Sequence, residues 1–450
     1  MSLFNTLNTG AAGMLSSSTS LSVIGDNIAN IGTTGFKSGS ATFADAFPSV
    51  VSGLGGVSQV GSGAMLSKVS SNFGQGALQQ SGSAIDIAIV GQGFFQVTAG
   101  DESYYTRDGS FHISEESYLE NAQGMRLQGY QAVDGTVTAT VGDLRMTPNG
   151  IAHKPTSTVT LAATLSAAAD ASSDPFEDIR TATPLDGTSG APTLDTLSQA
   201  ADFTTSTTVY DSLGLSHTVT LFFERTSAAP DTWNVTAVVD GGQVDTNGDG
   251  AADGTPGSAY EIGTGTIQFD SEGKLTSSSG IAYNGGWTFP GADPTTADFQ
   301  FGLDPAGNPT DGELRLSGES SYLTTVSQDG YAAGVLDSLR IESDGTIVGQ
   351  YSNGQIQDLG RLAVATFAAQ SGLDRVGGNL YRETLNSGAA ALGFAGTGAR
   401  GTTSGYALEG SNVDLEHEFV SMIQAQRSYQ ANTGVIRTAD EALQQLIQLV

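Results

Sequence analysis

Apolar residues recur at alternating steps of four and three near the N-terminus, over residues 3–31. One row of this pattern is wholly apolar and consists of Leu7, Met14, Leu21 and Ile28. The second row mixes apolar and small residues and consists of Leu3, Gly10, Ser17, Ile24 and Ile31. Such steps place side chains along one face of an α-helix and are typical of a coiled-coil seam. The pattern predicts a helix that pairs with another helix, and its small residues allow a close approach.

The C-terminal segment 411–450 repeats this alternation. Its wholly apolar row consists of Leu415, Met422, Tyr429, Ile436, Leu443 and Val450. Further apolar residues widen the stripe, namely Val420, Ile423, Leu446 and Leu449. A stripe this wide needs more than one neighbour. The residues that we expect to form an assembly interface are Leu7, Met14, Leu21, Ile24, Ile28, Leu415, Met422, Tyr429, Ile436, Leu443 and Val450.

We expect the two ends to pair with each other and then with copies of the same chain. Because an isolated helix is marginal in water, both ends are expected to be disordered in the monomer and to fold on assembly. The alternative is a pair of ordinary amphipathic helices on a globular core. Gly32 and Gly35 end the first helix, and the candidate caps of the second are Ser411, Asn412 and Asp414.

The middle of the chain has a period of two from about residue 72, which predicts β-strands. The hairpin signals are Asp108-Gly109, Asp344-Gly345 and Asn353-Gly354. Residues 151–206 are rich in Ala, Thr, Ser and Asp and show little periodicity, so we expect a loop-rich insertion with short strands. Strand signals resume from about residue 217.

These patterns predict a multidomain chain. N- and C-terminal α-helices form a coiled-coil domain, and the middle forms discontinuous, mainly-β inner and outer domains. The predicted parts are a terminal helical domain (1–32 and 411–450), a bridging segment (33–71 and 400–410), an inner β domain (72–145 and 335–399) and one or more outer β domains (146–334). Burial of aromatic residues is expected to anchor the bridging segment, through Phe36, Phe43, Phe47 and Phe73.

The composition restricts the classes of partner. The chain has 17 Lys plus Arg against 47 Asp plus Glu, a net charge of −30, which argues against nucleic acid and anionic lipid. It has no cysteine, which excludes disulfides and Cys-ligated zinc. No apolar run approaches the ~18 residues of a membrane span, so direct membrane insertion is not expected. The N-terminal residues lack the basic region and apolar core of a cleaved secretory signal.

One run, 245–254, has the spacing of a calcium loop. Asp245, Asn247, Asp249 and Asp253 fall at positions 1, 3, 5 and 9 of such a loop. Position 12 is Pro256, where a bidentate Glu belongs. The run is therefore a weak metal candidate, and a solvated acidic turn between strands is the favoured interpretation.

The sequence offers no catalytic constellation. The four histidines are scattered without a zinc-site spacing, at positions 112, 153, 217 and 417. We therefore expect a protein that is not an enzyme and has no cofactor, with calcium as a low-ranking exception.

Several stretches resemble the bacterial flagellar axial proteins, the family of rod and hook subunits. Residues 13–47 resemble the N-terminal signature of that family, and residues 411–450 resemble its C-terminal signature. Residues 85–97 resemble an inner-domain motif. Two further stretches, 209–223 and 331–367, are similar to hook subunits, whereas distal-rod subunits typically lack so large a middle insertion.

This resemblance implies a structural polymer. Its subunits would stack helically into a curved tube that acts as a universal joint and passes motor torque from rod to filament. The implied partners are copies of the chain itself, the rod, the hook cap, the hook–filament junction proteins and the flagellar type III export apparatus. The implied location is the extracellular hook, reached without a cleaved signal peptide. The alternatives are a distal-rod or other axial subunit and, from another class, a secreted calcium-dependent β-domain adhesin.

Overall fold

The chain divides into two compact units in the computed structural model. The first unit comprises Met1–Pro148, Leu336–Gln350 and Ile356–Val450, and the second comprises Asn149–Val335 and Tyr351–Gln355. The residues that the structure describes are 3–53, 56–133, 135–146, 150–171, 175–228, 231–285, 287–294 and 296–448.

The helices lie at the two ends and in the second unit. They are α1 (Leu3–Ala29), α2 (Pro175–Ala182), α3 (Leu194–Ala200) and α4 (Leu415–Gln448). Asp414 caps α4, because its carboxylate accepts hydrogen bonds from the amides of Glu416 at 2.9 Å and His417 at 3.4 Å. The other two candidate caps, Ser411 and Asn412, do not have this role.

The strands of the N-terminal part of the first unit are β1 (Gly39–Asp45), β2 (Ser49–Gly53), β3 (Gly56–Val60), β4 (Ala64–Ser71), β5 (Leu78–Gln80), β6 (Ile87–Val90), β7 (Phe94–Ala99), β8 (Glu102–Thr106), β9 (His112–Ile113), β10 (Leu119–Glu120), β11 (Arg126–Val133) and β12 (Thr136–Asp143). Those of the second unit are β13 (Thr158–Ser166), β14 (Phe203–Tyr210), β15 (Ser216–Ala228), β16 (Asp231–Asp240), β17 (Ala259–Phe269), β18 (Leu275–Ser278), β19 (Ala282–Tyr283), β20 (Asp298–Gln300), β21 (Glu313–Ser317) and β22 (Tyr322–Gln328). The C-terminal part of the first unit contains β23 (Leu336–Ile341), β24 (Thr346–Tyr351), β25 (Ile356–Thr366), β26 (Asp374–Gly377), β27 (Leu380–Arg382), β28 (Ala391–Phe394), β29 (Thr402–Gly405) and β30 (Ala407–Glu409).

The main sheet of the first unit is built from both halves of the chain. Its central order is β23-β24-β25-β11-β7-β8-β27-β26. Strand β25 pairs antiparallel with both β11 and β7, and β27 pairs with β8. The sheet is therefore complete only when segments from before and after the second unit come together.

Aromatic side chains fill one face of this sheet. Phe94 and Tyr381 are buried there, and the Phe73 ring lies edge-on to both, with centroid separations of 5.5 and 5.3 Å. Phe36 is also buried, whereas Phe47 is 91% exposed. The expected aromatic anchoring of the bridging segment therefore holds for Phe36 and Phe73 and is wrong for Phe47, which lies beyond the end of β1.

The second unit is a β-sandwich with a helical layer. In one sheet, β13 pairs with each of β20, β21 and β22. The strands of the other sheet have the order β14-β15-β16-β17-β18. One core cluster contains side chains from both sheets, including Leu161, Phe223 and Trp233. A second cluster places Phe176 of α2 against Phe222 of β15. The loop-rich prediction for 151–206 is therefore wrong, because β13, α2 and α3 occupy much of it.

Two of the three predicted hairpin turns are present. Gly345 and Gly354 have φ of +87° and +80° between successive strands β23, β24 and β25. The third is wrong: a Cβ on Gly109 would overlap the carbonyl oxygen of Ile87, so this glycine allows two segments to approach closely instead.

The predicted parts and the observed units divide the chain differently. The structure places the terminal helices, the bridging segment and the inner β segments together in the first unit. The chain is mostly β with a helix at each end, as predicted. The finer borders inside the first unit stay predictions. Among the described residues, no helix is long and apolar enough to cross a membrane.

Candidate assembly interface

The two terminal helices pack against each other in antiparallel orientation. Gly10 of α1 lies beside Ile436 of α4, and Asn27 donates a hydrogen bond to Glu418 Oε1 at 2.9 Å. Between these points, Thr433 Oγ1 lies 3.4 Å from Met14 Sδ. In this single chain both ends are thus helical and paired, which differs from the expectation that they are disordered before assembly.

On α1 the buried positions belong mainly to the mixed row of the heptad pattern. Gly10, Ser17 and Ile24 are buried, as is Asn27. The wholly apolar row is only half-buried, at Leu7, Met14, Leu21 and Ile28. Small residues form the contact because they let the two backbones approach more closely than leucine or methionine would.

Among the α4 residues whose burial the structure describes, Glu418, Ala425 and Ala439 are buried. Each lies one position before a residue of the second, mixed row of the C-terminal pattern, namely Phe419, Gln426 and Asp440. In the predicted apolar row, Ile436 packs beside Gly10 of α1, and Met422 and Leu443 are half-buried. Leu415 and Tyr429 are more exposed, at 37% and 41%. Val450 lies outside the described residues. Contacts of this row with other copies stay a prediction.

Two glycines of α1 mark where the helices lie closest. A Cβ on Gly10 would sit 2.9 Å from Ile436 Cγ1, and one on Gly13 would sit 2.6 Å from Asn432 Nδ2. By contrast, no described atom lies within 4 Å of the position of a Cβ on Gly25. The requirement for small residues is therefore local to the contact with α4.

An apolar surface remains exposed on the first half of α4. Leu415, Phe419 and Ile423 are spaced four residues apart and so share one face of the helix, with Val420 beside them. Phe419, Val420 and Ile423 are 50%, 55% and 50% exposed. We refer to these four residues as the α4 stripe. An exposed contiguous apolar surface of this kind marks an interaction site.

The bridging segment forms a two-stranded sheet of β1 and β4 that lies along α1. Ser16 Oγ donates to the carbonyl oxygen of Ala64 at 3.4 Å, and Gly39 lies against Val23. Strand β4 exposes Met65, at 50%, and its neighbour Leu66. Part of this sheet is thus available to other molecules.

Two asparagine side chains join the helices to the strands that follow or precede them. Asn27 binds both backbone groups of Gly39, accepting from its amide at 2.7 Å and donating to its carbonyl at 2.9 Å. Asn412 accepts from the Ser38 amide at 2.8 Å and donates to the Asn72 carbonyl at 2.8 Å. Each amide side chain therefore substitutes for a backbone partner at the start of β1.

A buried ion cluster lies beside these asparagines. Glu409 Oε1 is 2.6 Å from Lys37 Nζ, and Glu409 Oε2 is 3.1 Å from Arg107 Nη1. All three side chains are buried. Desolvation lowers the pKa of Lys37 and of Arg107, and the hydrogen bonds and charge of Glu409 oppose that shift. No sequence pattern pointed to this cluster, since its members are far apart along the chain.

The candidate calcium loop is closed by its own hydrogen bonds. Asp245 is buried and accepts from the amides of Gly248 at 2.6 Å and Gly250 at 2.7 Å. Asp253 accepts from Asn247 Nδ2 at 2.8 Å, and Asn247 also donates to Asp249 at 3.3 Å. Within the described part of the chain, no group of three or more His, Cys, Asp or Glu side chains could hold a metal ion. Calcium binding stays a low-ranking prediction.

Models of flagellar families match four parts of the chain. Residues 7–37 match "Flagella basal body rod protein" and residues 404–449 match "Flagellar basal body rod FlgEFG protein C-terminal". Residues 88–153 match "Flagellar hook protein FlgE/F/G D1 domain" and residues 180–331 match "Flagellar basal body protein FlaE D2 domain". These matches, together with the paired terminal helices, define a flagellar rod or hook protein.

Full-length relatives narrow this class. The flagellar hook protein FlgE of Treponema pallidum (strain Nichols) is 33% identical over 490 residues, covering 99% of this chain and all of that protein. The flagellar hook protein FlgE of Escherichia coli (strain K12) is 34% identical over 443 residues, covering 97% of this chain and 98% of that protein. The chain belongs to the flagellar hook protein family, and its function is that of a structural subunit.

A solved structure is similar in fold. The crystal structure of Helicobacter pylori flagellar hook protein FlgE2 matches with a TM-score of 0.50 and 14% identity, covering 72% of this chain and 99% of that one. At this identity the likeness concerns the fold alone.

Proposed function

We propose that this hook subunit polymerises helically into a flexible, curved tube that transmits motor torque from rod to filament as a universal joint. The observation that carries the proposal is the α4 stripe, an apolar surface exposed on a helix that is already paired with α1. Burial of apolar surface is the main driving force for association. The proposed partner is a second copy of the chain, because every copy added to a polymer presents the same α4 stripe again.

The helix pair forms the stiff part of the tube as a coiled coil. Its support is the antiparallel contact of Gly10 with Ile436 and of Gly13 with Asn432, together with the alternating steps of four and three in both sequence patterns. Close packing of this kind resists shear, because packed interiors deform little. Ile436 belongs to this contact, whereas the half-buried row of α1 that includes Leu21 keeps part of its surface available to neighbouring copies.

The β units supply contacts that can change as the tube bends. Charged residues are only 14% of the chain, and polar residues such as Ser and Thr are common on its strands. Contacts between small, uncharged polar groups can be exchanged at little cost, whereas desolvated ion pairs cannot. Bending would therefore be accommodated between β units of neighbouring copies while the inner helices keep their packing.

The family membership supports a proposal for the further partners and the location. They are the rod, the hook cap, the hook–filament junction proteins and the flagellar type III export apparatus, with export to the extracellular hook without a cleaved signal peptide. The absence of cysteine supports passage through such an apparatus, because no disulfide has to form or break on the way.

Charged substitutions in the apolar row test this proposal. Leu21→Asp or Ile436→Asp should abolish polymerisation, seen by electron microscopy, while the β-sheet signal in circular dichroism is retained. The matched control is Leu385→Asp, which makes the same change at a fully exposed loop position of the first unit, away from the helices. Normal tubes from both row variants would overturn the proposal.

A further inference from the structure

Two segments connect the terminal helices to the main sheet of the first unit, one after α1 and one before α4. They meet at one buried cluster of polar side chains. The segment after α1 contains Lys37, and the segment before α4 contains Glu409. Arg107, from the end of β8, lies between them. We call these three side chains, with Asn27 and Asn412, the joint.

Glu409 is the centre of the joint. In addition to its two ion pairs, Oε1 accepts from the Gly76 amide at 2.8 Å, and its main-chain carbonyl accepts from the Gly35 amide at 2.7 Å. Its side chain is fully buried. One residue therefore binds the segment after α1, the segment before β5 and the end of β8 at the same time.

The two cations extend these bonds to further backbone. Lys37 Nζ donates to the Gly74 carbonyl at 2.8 Å, and Arg107 Nη2 donates to the Gly91 carbonyl at 2.7 Å. Every charged group is thus held by several segments that are distant in sequence. Rotation of the helix pair on the sheet would break more than one of these bonds together.

Backbone contacts leave little room for such a rotation. Gly35 has φ of +68°, and a Cβ there would lie 2.5 Å from the Asp108 amide nitrogen. A Cβ on Gly76 would overlap the Gly410 carbonyl oxygen. Main chain lies directly against main chain on both sides of the ion cluster.

The chemistry of the joint favours a role in orientation. Buried ion pairs stabilise a fold no better than well-packed apolar residues of similar volume, because desolvation offsets their attraction. Unlike apolar contacts, however, they require particular distances and directions. Two cations and one carboxylate, each bound to fixed backbone groups, therefore restrict geometry more than they add stability.

We propose that the joint fixes the orientation of the helix pair on the main sheet and passes torque between them. Lys37, Arg107 and Glu409 are positioning residues in this proposal, which rests on the proposed function as a torque-transmitting polymer. In this proposal the orientation of the helix pair on the main sheet stays fixed when the tube bends. The bending then takes place at the contacts between copies.

An apolar replacement separates orientation from stability. The test variant combines Lys37→Met, Arg107→Met and Glu409→Leu, which keeps volume and removes all three charges. The matched control replaces a less buried ion pair of the same sheet, Arg361→Met with Asp344→Leu, whose charged atoms are 2.9 Å apart. The melting temperature of both variants is measured together with the distance between the helix pair and the sheet.

Spin labels report the orientation directly. Because the chain has no cysteine, Asp101→Cys in the turn after β7 and Gln424→Cys on α4 place two labels uniquely. Double electron–electron resonance then gives the distribution of distances between the label on α4 and the label on the sheet. Labels at Asp101→Cys and Ala399→Cys report whether the sheet itself is intact.

The proposal expects loss of the narrow helix-to-sheet distance in the apolar variant, with the sheet distance and melting temperature retained. The control variant should keep both distances narrow. Unchanged helix-to-sheet distances in the apolar variant would overturn the proposal, as would a broad distribution in the native chain. If the apolar variant unfolds, Glu409→Gln alone is measured in the same way and has to broaden the helix-to-sheet distance.

The polymer distinguishes this proposal from the one on which it rests. Tubes of the apolar variant, where they form, should show a wider spread of curvature in electron micrographs than native tubes. Native chains that form no tubes would contradict the proposed function, whereas native and variant tubes with equal spread would contradict the joint alone.

Discussion

Phe419 gives the sharpest quantitative test of the α4 stripe. It lies at the centre of that surface, between Leu415 and Ile423, on a turn of α4 whose other side faces α1. Replacement by serine removes the ring without adding a charge. Because half of the side chain is exposed in the single chain, Phe419→Ser should leave the subunit folded and act mainly on its association.

The expected loss follows from the exposed area. Phe419 is 50% exposed, and a phenylalanine that buries ~200 Å² in full would therefore bury about 100 Å² more against a neighbour. At about 25 cal/mol per Å², this burial contributes about 2.5 kcal/mol to each subunit added. Since each 1.4 kcal/mol is about a tenfold change in an equilibrium constant, the critical concentration for polymerisation should rise about sixtyfold.

Sedimentation of polymer from soluble protein measures this concentration. The matched control is Leu385→Ser, which removes a fully exposed apolar side chain from a loop of the first unit away from the helices. The control should polymerise at nearly the native concentration. If Phe419→Ser polymerises at the native concentration, or if both variants lose the same amount, the stripe is not the contact between copies.

Three further predictions concern the helix contact, acid stability and calcium. Gly25→Ala should raise the stability of α1 by about 1 kcal/mol, because alanine favours helix and the site is open, whereas Gly13→Leu should lower it; urea unfolding followed by circular dichroism distinguishes them. Desolvation raises the pKa of Asp329, but hydrogen bonds from Lys154 and neighbouring groups outweigh it and hold the pKa well below its ordinary value. The stability that this carboxylate contributes is therefore present above about pH 4 and is lost as the pH falls towards the lowered pKa. Asp329→Asn should thus be less stable than the native chain at neutral pH and should lose less stability in acid. Parallel plots of melting temperature against pH for the two proteins would contradict this. Because the loop 245–254 satisfies its carboxylates internally, a chelator should leave the melting temperature unchanged, and a clear fall on chelation would instead favour a calcium site.

The period of the apolar pattern was sufficient to predict both terminal helices, but it did not identify the contact between them. The wholly apolar row of α1 looks like the seam, yet the closest contacts with α4 are made at Gly10 and Gly13, because the free energy of packing depends on how closely two backbones approach. The buried pair of Asn27 and Glu418 joins residues that are 391 positions apart. A pattern read within one helix contains no information about such a partner.

The joint shows the same limit more strongly. Lys37, Arg107 and Glu409 each look like surface residues in their local sequence, since charged side chains are rarely buried unless paired. Their pairing depends on the return of the chain to the main sheet after the whole second unit. In that unit, the Ala- and Thr-rich strand β13 was missed because its alternating buried positions include small residues as well as large ones.

The measurement that tests the central claim most directly is electron microscopy of concentrated protein, with the full-length chain beside a 36–410 truncation. The truncation keeps Lys37, Arg107 and Glu409 but removes α1 and α4. Curved tubes from the full-length chain alone are the predicted result, and straight tubes would indicate a rod subunit instead. Tubes from the truncation, or monomers in both samples, would contradict assembly through the terminal helices.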